Sequence, residues 1–150
     1  MTWPPTKVLI GTDFSELARE AARYGLALAD GVGADVVLFY APSPVEEPFG
    51  GAHGYVAGVL EELREARDGR IRDALDTEVA ALRAHGDRVE IAGHFGVGPA
   101  AVAIAQAARD YECDLVVVGS HGRTGLTRTF MGSVAERTVR VSSVPVLVVR

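Results

Sequence analysis

The sequence predicts an α/β fold: a parallel open sheet with helices on both faces. Two observations carry this reading. Five short apolar runs, at 7–13, 34–41, 88–95, 114–119 and 144–150, read as strands bounded by turn residues. Four helical stretches stand between them, giving the order βαβαβαβαβ. Such alternation means parallel strands joined by crossover helices. With 150 residues, no internal repeat and no linker, residues 1–150 read as one domain.

Each element follows from local pattern. KVLIGTD (7–13) is a buried strand running into a turn. SELAREAARYGLALADG (15–31) sets Leu17, Ala21, Ala22 and Leu28 at helical spacing. Asp13 or Ser15 can cap this helix and Gly31 can end it. ADVVLFYA (34–41) is a second buried strand, and PSPVEEPFGGAHG (42–54) is a loop by its Pro and Gly content. A long helix is expected over about 56–85, with Leu60, Leu63, Leu75, Val79 and Leu82 in the core and a break at Gly69. RVEIAGHF (88–95) alternates Val89, Ile91, Gly93 and Phe95, which suits a half-buried strand at a sheet edge. GPAAVAIAQAARDYE (98–112) is an alanine-rich helix with Pro99 at its first position.

DLVVVG (114–119) is a fully buried strand, a helix runs over 133–141, and VPVLVVR (144–150) is the last strand. That strand is apolar at nearly every position. At a sheet edge it would offer a template for pairing. A homodimer through antiparallel copies of residues 144–149 is therefore expected, unless a helix or loop covers that edge.

Composition excludes some roles. Hydrophobic residues make up 48% and charged residues 23%, which is ordinary for a soluble globular chain. The apolar runs are too short to cross a bilayer, and MTWPPTK has no apolar signal core. The expectation is a cytoplasmic protein with no membrane partner. Cys113 is the one cysteine, so no intrachain disulfide forms, and it reads as a core residue. A net charge of −5 argues against general nucleic-acid binding. Yet from Gly119 onward five arginines face one glutamate, so that segment is +4 and the first 118 residues carry −9. A basic, glycine-rich end suits an anionic ligand, although Arg137 and Arg140 read more plainly as a solvated helix face.

The segment GSHGRTGLTRTFMGS (119–133) is the candidate site. In open parallel sheets, ligands bind beyond the strand C-termini where the winding reverses. With strand order 3-2-1-4-5, that reversal lies between the first and fourth strands. Thr12-Asp13 and Gly119-Ser120-His121-Gly122 then flank one crevice. Gly119 and Gly122 permit a tight turn and close approach to a ligand. Gly132-Ser133 opens the next helix, whose free N–H groups favour phosphate. Arg123 or Arg128 can supply charge between the two features. The plainer alternative is a surface loop whose glycines serve only turns. Asp13 reads equally as a ribose or adenine contact and as a helix cap, since D-x-x-E at 13–16 fits a capping box. His121 lies in the same cradle, as a phosphate contact, a base, or simply a loop residue.

The residues Gly119, Gly122, Gly132 and Ser133 meet the pattern G-x2-G-x9-G-[ST]. With VLIGTDFSE, GPAAVAIAQAARDYECDLVVVGSHG and VPVLVV, they make the whole chain resemble the universal stress proteins of the UspA-like, ATP-binding subgroup. The resemblance implies a Rossmann-like, adenine nucleotide alpha hydrolase-like sheet of order 3-2-1-4-5 and a homodimer joined through the last strands. It implies ATP as ligand, with Asp13 toward the ribose or adenine and with Thr12 and Ala41 bordering the adenine. Val118, Gly119 and Gly122 would approach the ribose and phosphates, with Arg123 beside them. Gly132, Ser133 and Val134 would hold the phosphate tail. Two positions depart from the family: Gly11 where proline is frequent, and Ala135 where a hydroxyl residue is sometimes found.

Enzymatic motifs are lacking. The only lysine is Lys7, which rules out a Walker A loop. No histidine pair has helical metal-ligand spacing, and neither a G-x-S-x-G elbow nor HxGH or KMSKS occurs. A phosphoacceptor receiver domain would need clustered acids and a late lysine, which are also missing. A divalent ion such as Mg2+, bridging phosphates near Asp13 and Ser133, is the one hydrolytic aid the pattern allows. The expectation is a nucleotide-dependent stress-response regulator with an unidentified protein partner and at most slow ATP turnover. A dimeric scaffold that binds no nucleotide is the rival.

Overall fold

The computed structural model describes residues 3–42, 55–86, 88–121 and 131–150. Five strands, β1 (Lys7–Thr12), β2 (Asp35–Tyr40), β3 (Ile91–Phe95), β4 (Leu115–Gly119) and β5 (Val146–Val149), form one parallel sheet of order β3-β2-β1-β4-β5. Four helices connect them: α1 (Glu16–Val32), α2 (Tyr55–Arg83), α3 (Ala100–Asp110) and α4 (Ser133–Val141). The expected architecture and strand order are both present.

Alternation along each strand divides the core into two layers. Val8, Ile10, Val36, Leu38, Leu115 and Val117 face one side, with Ala21, Leu26, Leu75 and Val79 of α1 and α2. Leu9, Val37, Phe39, Val116 and Val118 face the other, with Ile104, Ala107 and Ala108 of α3 and Ala135 of α4. The central strands are buried on both faces, which is why they read as continuous apolar runs. Gly25 lets α1 lie close to the sheet: a Cβ there would sit 2.7 Å from Ile10 Cδ1.

Several local expectations are corrected. Ser15 alone caps α1, its Oγ accepting from Ala18 N–H at 3.2 Å. Asp13 forms no capping box; its Oδ1 accepts from Ser15 N–H at 3.0 Å, in an Asx-type turn ahead of the helix. The helix passes Gly31 and stops at Gly33, whose φ of 73° supplies the left-handed cap. Gly69 does not break α2. Leu60, Leu75, Val79 and Leu82 are buried, but Leu63 is 53% exposed. It stands one position off the inward row through 60, 64, 71, 75, 79 and 82, about 100° around the helix from Arg64. Pro99 is the N-cap of α3 rather than its first residue. β3 is the expected edge strand, shorter than 88–95, with only Ile91 fully buried. Loop positions 43–54 lie outside the described residues.

β5 forms the other edge, pairing only with β4 among the described strands. Ser120 extends the ladder by one bond, its N–H donating to Val149 O at 2.6 Å.

Candidate functional site

Because β1 and β4 are neighbours whose crossovers leave on opposite faces, their C-terminal ends part and open a crevice. A cavity of about 350 Å³ lies there, within the range of small-ligand sites. The sheet order lays out its walls in sequence. Tyr40 and Ala41 come from the end of β2, Gly11, Thr12 and Asp13 from β1, and Val118, Gly119, Ser120 and His121 from β4. Gly132, Ser133, Val134 and Ala135 add the start of α4, Ala100 and Ile104 one face of α3, and Ala18 the first turn of α1.

The turn after β1 is held tightly. Thr12 Oγ1 accepts from Phe14 N–H at 3.0 Å, and Asp13 Oδ1 accepts from Ser15 N–H. Phe14 takes φ 64°, a left-handed conformation that bulky residues rarely adopt. Its ring packs on Tyr40 with centroids 4.8 Å apart. A strained aromatic residue thus fixes the direction in which Thr12 and Asp13 meet the cavity.

On the opposite wall, Gly132 N–H donates to Ser120 O at 2.6 Å. This bond brings the start of α4 against the end of β4. A Cβ on Gly132 would lie 2.8 Å from that same carbonyl, so only glycine fits without a backbone shift. Gly119 differs: it is the last residue of β4, and its nearest neighbours would be 3.4 Å from a Cβ, an ordinary contact. The expected tight turn is therefore not made at Gly119.

Gly132 is the N-cap of α4 and offers no side-chain acceptor. The first intrahelical bond runs from Glu136 N–H to Gly132 O. The amides of Ser133, Val134 and Ala135 precede it, at the positive end of the helix dipole and on the cavity wall. Beside them, Ser120 Oγ is 2.9 Å from His121 Nδ1, while His121 Nε2 is buried without a partner among the described residues.

Of the site residues expected from sequence, Thr12, Asp13, Ala41, Val118, Gly119, Gly132, Ser133 and Val134 all line this one cavity. Gly122, Arg123 and Arg128 lie outside the described residues. Ser120 and His121, expected to flank the crevice, line it too, whereas Tyr40, Ala100 and Ile104 were not expected. The i, i+4 spacing of Ala100 and Ile104 puts them on one face of α3, but nothing local tells that this face meets the crevice. Both departures have packing reasons. A Cβ on Gly11 would come within 3.1 Å of Val118 Cγ1 and 3.2 Å of Ile104 Cδ1. The Ala135 methyl is buried in the same apolar cluster.

The universal stress protein family model matches residues 5–150, nearly the whole chain. The chain belongs to the universal stress protein family. A universal stress protein of Methanocaldococcus jannaschii is 32% identical over 147 residues, covering 96% of this chain and 81% of that protein. One from Synechocystis is 28% identical, covering 96% and 97%. Among solved structures, the universal stress protein UspA of Lactobacillus plantarum superposes with a TM-score of 0.77 at 23% identity, covering 97% of each chain. A universal stress protein crystallised in complex with cAMP gives 0.71 at 25% identity, again over 97% of each chain. As a universal stress protein, the chain has the sheet order and the glycine-serine start of α4 that the sequence resemblance implied.

Proposed function

We propose that this universal stress protein binds an adenine nucleotide, ATP, in the cavity between β1 and β4. The observation that carries the reading is the uncapped start of α4, whose amides open onto a cavity with an apolar side. Amides at a helix start suit phosphates, and the wall of Ala41, Ala100, Ile104 and Val118 suits a planar base. The similar chain solved with cAMP supports an adenine nucleotide as the ligand class. Gly132, Ser133 and Val134 would hold the phosphates, Thr12 and Ala41 the adenine, and Asp13 the ribose or adenine side. If a Mg2+ ion accompanies the phosphates, Ser133 and Asp13 are the residues near the cavity that would help hold it, and it would neutralise phosphate charge.

The role we propose is a switch, with ATP turnover slow at most. Nucleotide occupancy reports to a partner protein through a homodimer joined along β5. The dimer is supported by the open β5 edge, by Leu147 there, 37% exposed, and by Val139 and Val141 on α4, also exposed.

The test is direct. Protein purified from a heterologous host is denatured and its supernatant assayed for nucleotide, and nucleotide-free protein is titrated with Mg-ATP by calorimetry. Ala100→Trp, which fills the cavity from the first turn of α3, is the control. Stoichiometric adenine nucleotide in the wild type, lost in the control, is the expected result. An empty wild type that also ignores added Mg-ATP overturns the reading and leaves a dimeric scaffold.

A further inference from the structure

We propose that His121 is a phosphate-sensing residue of this site, donating from Nε2 to the anionic part of the ligand, with Ser120 as its positioning residue. The proposal rests on the nucleotide reading above and assigns a role to a side chain at a position that the family's glycine pattern leaves unspecified. Three observations lead to it. His121 lines the cavity, yet its Nε2 is buried without a partner among the described residues. A buried ring nitrogen left unpaired is unfavourable, and such groups in native proteins call for a reason. Its other nitrogen is held by Ser120 Oγ at 2.9 Å, and Ser120 is itself 2% exposed, so the ring is fixed from behind. When the Ser120 hydroxyl donates to Nδ1, the ring proton resides on Nε2 and points away from Ser120.

Position then selects the part of the ligand. His121 Cα lies 3.4 Å from where a Gly132 Cβ would be, so the residue stands next to the start of α4, on the same cavity wall. The described residues near it there include the first residues of α4, whose backbone amides and Ser133 hydroxyl are donors that suit an anion. Asp13, across the crevice in the turn after β1, is the charged group that shares the cavity wall. A phosphate oxygen can accept from Nε2 and from the α4 amides together; a nucleoside brings no anionic acceptor to that end of the cavity.

The test compares adenosine, AMP and ATP on the full chain, by calorimetry and by NMR titration. His121→Ala should weaken ATP and AMP roughly tenfold, the size of one lost charge-assisted hydrogen bond, and adenosine less than twofold. His121→Gln, whose amide N–H reaches the place of Nε2, should recover most of the loss, and Ser120→Ala should lose an intermediate amount. Long-range 15N spectra of the wild type should show the His121 Nε2 resonance moving with ATP and not with adenosine, which needs no variant to fold. Equal losses for adenosine and ATP, or an Nε2 resonance that ATP leaves in place, overturn the assignment while nucleotide binding stands. A wild type that binds none of the three ligands overturns both.

Discussion

Gly132 and Ser120 meet through one short backbone bond, N–H to carbonyl at 2.6 Å, an approach that a residue with a Cβ would obstruct. Gly132→Ala places a methyl 2.8 Å from the accepting oxygen, and the obstacle is backbone, not a movable side-chain tip. The bond must lengthen or α4 must swing out. The expected cost is about 1–3 kcal/mol in urea unfolding, with ATP affinity falling at the same time. Unchanged stability in that variant would show that α4 has room the structure does not suggest.

Asp13 has two readings that one variant separates. Its Oδ1 holds the Ser15 amide. Asp13→Asn keeps that acceptor and should change stability by less than about 0.5 kcal/mol. If Asp13 also meets the ligand as a carboxylate, Asp13→Asn weakens nucleotide binding while the melting curve stays put. Loss of stability without loss of affinity would leave the turn as its whole role.

Ser15→Ala removes the acceptor for Ala18 N–H at the start of α1. N-cap losses of this kind cost about 1 kcal/mol. Chemical denaturation should show that decrease, and Ser15→Asp should restore it.

Cys113 is 4% exposed, and burial pushes its thiol up to about 11. Thiol reagents at pH 8 should therefore leave the native protein unmodified and react fully in urea. The sign of the pH effect follows. The unfolded thiol ionises first, so this contribution to stability is complete below about pH 9 and declines as pH rises toward 11. Cys113→Ala should flatten that part of the profile.

Leu147, exposed on the edge strand β5, tests the assembly. Leu147→Asp puts a charge where a second β5 is proposed to pair, and light scattering should report dimer for the wild type and monomer for the variant. Monomeric wild type at micromolar concentration would remove the dimer from the proposal.

Much of the fold was legible because the central strands are buried on both faces, so VLIG, VVLF and LVVV announce themselves as unbroken apolar runs. The limits of α4 were legible too, since Gly132-Ser133 and the run after Val141 are local signals. Helix ends elsewhere were not. Gly31 and Gly33 are equally good stops on paper, and only tertiary packing decides which takes φ 73°. Leu63 misled because apolar character does not reveal which side of a long helix faces the sheet. At the site, Thr12, Asp13 and Gly119 were found from the strand order and its crevice, and Ala41 and Val118 from the family resemblance. Ile104 and Tyr40 were not, because they reach the cavity through packing between distant segments.

Ser120 is bonded on both sides: its carbonyl to Gly132 and its N–H to Val149. A single residue is thus common to two circuits, the rim of the cavity and the last rung of the sheet's open border. Tension applied to the start of α4 has only the length of one amino acid to travel before it reaches β5. The pocket and the seam proposed between protomers are mechanically adjacent, although no side chain of one need touch the other.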